Sequence, residues 1–164
     1  MTHSLFISDL HLAPEHSGIT HSFFEFVKGP AAQAETLYIL GDLFEYWIGD
    51  DDLSDSFNAS IADALGALSG KGVAVKLMQG NRDVLLGKEF ARRCGASLLA
   101  DPTLVELYGT PTLVMHGDTL CTDDVEYMKW RAKARHPEFQ ARLDRKSTRL
   151  NSSHMSESRM PSSA

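Results

Sequence analysis

Four short apolar runs in this chain of 164 residues each lead into side chains that can bind a metal ion. Successive metal-binding residues are separated by 33 to 39 residues, which is about the length of one strand–helix unit. In chain order the motifs are Asp9-Leu10-His11, Gly41-Asp42, Gly80-Asn81 and His116-Gly117-Asp118. The pattern indicates a site assembled at the ends of successive strands.

The runs that precede these motifs are typical of buried strands. Leu37–Leu40 ends at Gly41, where glycine lets the backbone turn sharply and leaves Asp42 at the carboxyl end of a strand. Parallel strands bring their carboxyl ends to one edge of a sheet, and ligands of open α/β sheets bind there. The other runs are Leu5–Ser8, Val73–Met78 and Thr112–Met115. We therefore predict an α/β fold in which all four groups converge at one edge.

The residue types at this edge suit a transition-metal site. Asp9 and His11 are two residues apart, so in extended backbone their side chains point the same way and can chelate one ion. Oxygen and nitrogen donors favour Mn²⁺, Fe²⁺ or Zn²⁺. A carboxylate at the sheet centre, here Asp42, can bridge two ions about 3.5–4 Å apart, which promotes in-line attack on phosphorus. Taken singly, Asp42 could instead cap a helix and Asp9-Leu10-His11 could be a solvated loop.

Composition excludes several functional classes. Hydrophobic residues make up 43% of the chain and charged residues 23%, which is ordinary for one globular domain. A net charge of −6 argues against a nucleic-acid partner, which requires a basic surface. The two cysteines form neither a disulfide framework nor a zinc pattern. No signal peptide and no membrane-spanning run is evident, so we expect a cytoplasmic location.

The remaining elements follow from periodicity and turn signals. From Asp55, apolar residues recur at helical spacing (Phe57, Ile61, Leu65 and Leu68), and Gly70 and Gly72 end the predicted helix. Further helices are predicted over 23–27, over 88–94, and from an N-cap at Asp123 to about 136. A tight turn at 109–111 joins strands Leu104–Tyr108 and Thr112–Met115. We interpret the aromatic group at 44–47 as core and the aspartates at 50–52 as a loop or cap, with no catalytic role.

The composition changes after about residue 144. Residues 145–164 contain seven serines, no aromatic residue and no apolar periodicity, which is typical of disorder. Asn151-Ser152-Ser153-His154-Met155 resembles vector-derived or read-through sequence. We therefore predict a folded domain over 1–144 and a disordered, serine-rich, non-native tail over 145–164, and we exclude His154 as a ligand.

In their order and spacing the four motifs resemble those of the calcineurin-like metallophosphoesterases. Longer segments narrow the resemblance to one family, the bacterial UDP-2,3-diacylglucosamine pyrophosphatases of lipid A biosynthesis. The segments that resemble this family are 40–45 with 47–52, Gly80-Asn81-Arg82-Asp83, and 116–124. The resemblance covers residues 3 to about 144 and implies the layered sheet-and-helix fold of that superfamily.

The resemblance also implies a ligand set and a substrate. One ion is expected on Asp9, His11 and Asp42, and the other on Asp42, Asn81 and His116. Asn81, Arg82 and Asp124 are expected to contact substrate, and Asp42, Asn81 and His116 to be catalytic. The family uses Mn²⁺ and cleaves the pyrophosphate of UDP-2,3-diacylglucosamine to UMP and 2,3-diacylglucosamine 1-phosphate. Its members act peripherally at the cytoplasmic face of the inner membrane.

The chain departs from this family at its carboxyl end. Family members carry a later Gly-His-x-His motif, which gives each metal a further histidine, and a helical insertion that holds the acyl chains. Neither is present here, since the only histidine after His136 is His154. We therefore expect a fold that is incomplete at its carboxyl end, and a chain that is inactive or weakly active.

Arg82 bears on the type of reaction. Many phosphomonoesterases of the superfamily have a histidine after the motif asparagine, where it can protonate the leaving group. Arginine cannot serve as a general acid, but its fork of donors suits phosphate oxygens. A sugar phosphate leaving from a pyrophosphate needs no proton, so Arg82 favours phosphoanhydride cleavage. A solvated loop arginine is the alternative for this residue. Alternatives for the protein are another calcineurin-like phosphoesterase and a non-catalytic scaffold of the same fold.

Overall fold

A four-stranded parallel sheet forms the centre of the protein in the computed structural model, which describes residues 2–136 and 138–140. The strands lie in the order β1-β2-β3-β4, and each neighbouring pair is parallel. Their bounds are Ser4–Ile7 (β1), Thr36–Leu40 (β2), Ala74–Met78 (β3) and Ser97–Leu99 (β4). The predicted α/β class is confirmed, and the first three strands lie within one residue of their predicted bounds.

The helices whose bounds lie within the described residues are Ser17–Lys28 (α1), Ser56–Gly70 (α2), Lys88–Arg93 (α3) and Val125–Ala134 (α4). Short 3-10 segments lie at Pro30–Gln33, Asp50–Ser54 and Asp118–Leu120. Helix α2 is the clearest confirmation of the periodicity argument, because Ile61, Leu65 and Leu68 of its predicted apolar stripe are buried in the core and Phe57 packs against it, partly buried. Asp55 is its N-cap, since its carboxylate accepts hydrogen bonds from the backbone N–H groups of Phe57 and Asn58.

The predicted hairpin is present, as β5 (Thr103–Leu107) and β6 (Thr110–Val114). These two strands are antiparallel and form a separate two-stranded sheet. The expectation that the run before His116 is a parallel strand of the main sheet is therefore wrong. A turn as short as Tyr108–Gly109 permits only antiparallel pairing, because a parallel pair needs a long crossover. His116 reaches the site from the end of the hairpin, and β4 is the fourth strand of the main sheet.

Helices α1 and α4 begin at residues other than those predicted. Helix α1 starts at Ser17, six residues before the predicted residue 23. The N-cap of α4 is Asp124 rather than Asp123, since the Asp124 carboxylate accepts the Tyr127 backbone N–H at 2.9 Å. The predicted serine-rich tail over 145–164 lies outside the described residues, as do residues 141–144 of the predicted domain. Within the described ranges, no helix combines the length and the apolar character needed to cross a bilayer.

Candidate metal centre

The loops that follow β1 and β2 run side by side and fix three of the predicted ligands. Backbone hydrogen bonds join Asp9 N–H to the Gly41 carbonyl (3.1 Å), and His11 N–H to the Asp42 carbonyl (3.1 Å). A parallel bridge between Leu12 and Phe44 continues this ladder. The pairing of the two strands therefore extends past their ends and carries Asp9, His11 and Asp42 to one edge of the sheet.

The backbone at these ligands has an unusual conformation. Asp9 (φ 55°), His11 (φ 49°) and Asp42 (φ 52°) all occupy the left-handed region. Such angles are uncommon for residues other than glycine, and they cluster at functional sites where the surrounding structure enforces them. Among the described residues the only other non-glycine example is Tyr108, in the hairpin turn. The left-handed turns direct the three side chains into a common space.

Asp42 lies at the centre of this arrangement and is only 2% exposed. Its Oδ2 lies 3.8 Å from the Nε2 atoms of both His11 and His116. Its Oδ1 accepts a hydrogen bond from the Arg82 backbone N–H at 2.9 Å. The geometry places Asp42 between two imidazoles, which is the position expected of a carboxylate that bridges two ions.

His116 is held by its ring nitrogens. Nδ1 lies 2.8 Å from the Leu40 carbonyl, and Nε2 lies 3.1 Å from Asn81 Oδ1. A carbonyl can only accept, so Nδ1 donates, and in a neutral imidazole Nε2 then carries a lone pair. The lone pairs of Nε2 and of Asn81 Oδ1 therefore face each other. A cation that both groups bind would relieve this repulsion, which fits a metal site.

Two glycines allow the loops to approach this closely. A Cβ at Gly80 would overlap the Oδ1 and backbone nitrogen of Asp42, and one at Gly41 would lie 2.6 Å from His116 Nδ1. Gly41 also has φ 98°, which disfavours any side chain. Both motif glycines are therefore required by the packing of the ligands against each other.

The predicted ligands thus come together. Asp9, Asp42 and His116 each offer a ligand atom, and these atoms lie within 4.8 Å of one another, so the group can hold a metal ion. Asn81 contacts His116 and His11 flanks Asp42, as described above. Arg82 borders the site, and its half-exposed guanidinium lies 3.5 Å from Glu45 Oε1. The recorded contacts of Asp124 place it at the start of α4 and do not join it to the ligand group.

Asp83 is a functional residue that the sequence analysis missed. Its fully buried carboxylate accepts backbone hydrogen bonds from Gly80 (2.7 Å), Asp42 (3.2 Å) and Leu43 (2.8 Å). Burial raises the pKa of Asp83 and the charge of Asp42 adds to this, while the N–H donors oppose it. Asp83 therefore ties the Asp42 loop to the Asn81 loop. Its place three residues after Gly80 is the signal that could have found it.

A second set of polar residues supports His116. Asp101 Oδ1 accepts the His116 backbone N–H at 3.1 Å, while its Oδ2 lies 2.6 Å from Arg131 on α4. Asp118 Oδ2 accepts hydrogen bonds from Arg131 Nε (2.8 Å) and the Tyr127 hydroxyl (2.7 Å). Burial would raise the pKa of Asp118, but these donors outweigh it and hold that pKa below its ordinary value. The network anchors α4 beside the site, and no local pattern in the sequence indicates it.

Of the two segments assigned no catalytic role, the aromatic group at 44–47 is only partly core, since Tyr46 is 66% exposed. Phe44 and Trp47 are buried and pack against Phe90 with ring centroids 5.5 and 5.0 Å away. Asp50 accepts hydrogen bonds from the backbone N–H groups of Gly87 (2.9 Å) and Glu89 (2.7 Å), at the start of α3. It therefore acts as a cap supplied from a distant part of the chain.

Comparison with known proteins gives closely similar relatives. The UDP-2,3-diacylglucosamine hydrolase of Stenotrophomonas maltophilia (strain K279a) is 54% identical over 140 residues, which cover 85% of this chain and 56% of the relative. Those of Cellvibrio japonicus (strain Ueda107) and Vibrio cholerae are each 49% identical, over 85% and 84% of this chain and 58% and 57% of the relative. The chain is a homologue of these hydrolases. The resemblance inferred from the motifs is confirmed.

The similarity covers only part of these hydrolases. The chain spans little more than half of the curated relatives it matches. No family model matches it. The crystal structure of Pseudomonas putida nuclease MPE aligns with 63% of this chain and 50% of its own length, at 22% identity and a TM-score of 0.49. That likeness is too remote to inform the site.

Proposed function

We propose that this chain carries the metal-binding part of a calcineurin-like phosphoanhydride hydrolase. The proposed reaction is cleavage of the pyrophosphate of UDP-2,3-diacylglucosamine by water, which releases UMP and 2,3-diacylglucosamine 1-phosphate. The convergence of ligand atoms from Asp9, Asp42 and His116 is the observation that carries the proposal. The names of the homologous hydrolases supply the substrate.

Two divalent ions, as Mn²⁺, are proposed at the site. Asp9, His11 and Asp42 would hold one of them, and Asp42, Asn81 and His116 the other. The donors are oxygen and nitrogen atoms, which suit Mn²⁺. When bound, such ions supply Lewis-acid polarisation of phosphoryl oxygens. The buried position of Asp42 between two imidazoles supports its role as the shared ligand.

Substrate contacts are proposed for Asn81, Arg82 and Asp124. The backbone of Arg82 is fixed by its hydrogen bond to Asp42, and Glu45 is the ion-pair partner of its guanidinium. The Arg82 side chain is 48% exposed, so a phosphate can reach it. A guanidinium binds phosphate through two parallel N–H groups but donates no proton to a leaving group. Arg82 therefore orients a pyrophosphate whose leaving sugar phosphate needs no protonation.

The proposed lipid substrate indicates where the protein acts. An acylated sugar linked to UDP resides at a membrane surface, so we propose peripheral association with the cytoplasmic face of the inner membrane.

The folded unit is proposed to span 1–144, with the serine-rich residues 145–164 outside it. The net charge of −6 gives no basis for proposing a nucleic-acid partner.

The test is release of UMP from UDP-2,3-diacylglucosamine, followed by chromatography with and without Mn²⁺. Two proteins are compared: the 164-residue chain, and a chimera that joins the remaining part of the Stenotrophomonas relative after residue 144. We expect Mn²⁺-dependent release of UMP that is much faster in the chimera. Asp42→Asn should abolish it in both, whereas Asp63→Asn, a surface carboxylate paired with Arg93, should not.

The other outcomes separate the alternatives. Release of inorganic phosphate from p-nitrophenyl phosphate without UMP release would indicate a phosphomonoesterase. Metal binding by the chimera without metal-dependent turnover of either substrate would indicate a scaffold. Turnover that survives a chelator, or the Asp42→Asn substitution, would refute the proposed metal mechanism.

A further inference from the structure

The carboxylate of Glu45 lies between His11 and Arg82 and is shared by them. Its Oε2 is 2.9 Å from His11 Nδ1, and its Oε1 is 3.5 Å from a terminal guanidinium nitrogen of Arg82. The Glu45 side chain is 17% exposed. Its backbone is fixed as well, because Glu45 N–H donates to the Leu12 carbonyl at 3.1 Å. The ladder that positions the ligands therefore also positions this carboxylate.

The surroundings of His11 Nδ1 leave it dependent on Glu45. This atom is sealed from solvent, and the described residues offer it no well-aligned hydrogen-bond partner. The contact with Glu45 Oε2 has an ion-pair distance but not the angles of a hydrogen bond. A hydrogen bond between the two groups requires the imidazole and the carboxylate to reorient relative to each other. Nδ1 can satisfy a carboxylate only by donating its proton.

The other nitrogen of His11 faces the metal centre. Nε2 lies 3.8 Å from Asp42 Oδ2. If Nδ1 holds the proton of the neutral ring, Nε2 keeps its lone pair and can ligate; if Nε2 holds the proton, it cannot. A carboxylate on the far nitrogen of a ligating histidine fixes the tautomer, orients the ring and strengthens the ligand.

We propose that Glu45 is a positioning residue that holds His11 as the Nδ1–H tautomer, with Nε2 free for a metal ion. The inference rests on the metal site of the proposed function. The same carboxylate restrains Arg82 through its second oxygen, so one side chain links a metal ligand to a phosphate-binding group. Glu45 acts through its neighbours and does not itself touch the reacting atoms.

The tautomer of His11 is measured directly by ¹⁵N NMR on the metal-free 164-residue chain in mildly alkaline buffer. The His11 signals are assigned from their loss in His11→Gln. We expect the Nδ1–H form in the unsubstituted chain and in Glu89→Ala, which removes an exposed carboxylate paired with Arg92. Glu45→Ala should lose that form, whereas Glu45→Gln, which retains an acceptor oxygen, should restore it.

Calorimetric titration with Zn²⁺, a diamagnetic probe, gives the second readout. Glu45→Ala should weaken binding about 10–100-fold, as is usual when the partner of a ligating histidine is removed, and Glu89→Ala should leave it unchanged. The Nε2–H form in the unsubstituted chain would overturn the proposal without any variant at Glu45. Retention of the Nδ1–H form or of full Zn²⁺ affinity in Glu45→Ala would also overturn it. Neither readout uses substrate, so failure of UMP release would count against the proposed function alone.

Discussion

A comparison of His11→Gly with His11→Ala isolates the effect of the left-handed backbone at this position from the loss of the imidazole. Both substitutions remove the imidazole, so both should abolish its contribution to metal binding equally. They differ only in how well they tolerate φ 49°, the left-handed angle of this residue. Glycine adopts that angle freely, whereas a Cβ crowds the following carbonyl oxygen.

The magnitude follows from two opposing terms. A residue with a Cβ costs about 1–2 kcal/mol in the left-handed region. Glycine loses more conformational freedom on folding, which disfavours it by about 0.5–1 kcal/mol relative to alanine. The difference leaves His11→Gly more stable than His11→Ala by about 1 kcal/mol. At an exposed helical position such as His21 in α1, only propensity acts, and alanine should be better than glycine by about 1 kcal/mol.

The assay is urea unfolding of all four variants in the presence of a chelator, followed by circular dichroism. The expected result is a reversal of sign between position 11 and position 21, with a net difference of about 2 kcal/mol from these two estimates. The chelator removes any contribution of bound metal, so only the backbone conformation remains. If His11→Ala is as stable as His11→Gly, the strained backbone and the reasoning built on it are refuted.

Three further predictions concern other groups. Asp83→Ala should destabilise the protein by at least about 3 kcal/mol in urea unfolding, because three buried N–H groups lose their acceptor; an effect below 1 kcal/mol would contradict this. Burial raises the pKa of the Cys94 thiol from 9.0 to about 12, so only the unfolded state ionises it between these values. The free energy of unfolding should therefore fall between pH 9 and pH 12, by up to about 1.4 kcal/mol per pH unit more than it does in Cys94→Ala. If the two proteins lose stability in parallel over this range, the prediction is wrong. Asp124→Ser should keep the N-cap of α4 but weaken substrate binding, which is measured as a higher KM. Asp124→Ala should weaken substrate binding as well and also lower stability by about 1 kcal/mol. An unchanged KM in Asp124→Ser would show that this residue caps the helix and does not contact substrate.

The sequence was sufficient to predict the structure where the local residue pattern and the topology of the sheet agree. Apolar runs identified β1, β2 and β3, and the rule that parallel strands end at one edge placed Asp9, Asp42 and Asn81 together. The helix from Asp55 was equally clear, because the spacing of its apolar residues predicted it and glycines marked its end. At these places each local preference supports the tertiary structure.

Prediction failed where distant residues determine the geometry. His116 was assigned to a parallel strand because its motif follows an apolar run, yet the hairpin turn reverses the chain and delivers it from a second sheet. The ion pair of Asp101 with Arg131 joins residues 30 apart, so no periodicity indicates it. Asp50 caps a helix that begins nearly 40 residues later. Each contact depends on packing that single-sequence patterns do not contain.

The convergence of the ligand groups destabilises the folded protein, and backbone hydrogen bonds around the site oppose that effect. The electron-pair donors of Asp9, Asp42, Asn81 and His116 converge in a small space, so they repel one another in the absence of a cation. Three of the loop positions are held in a disfavoured backbone conformation. Opposing these terms are fixed backbone donors, above all those that meet the Asp83 carboxylate, since hydrogen bonds to a charged group are stronger than neutral ones. The fold thus stabilises an arrangement of acceptors that can hold a cation.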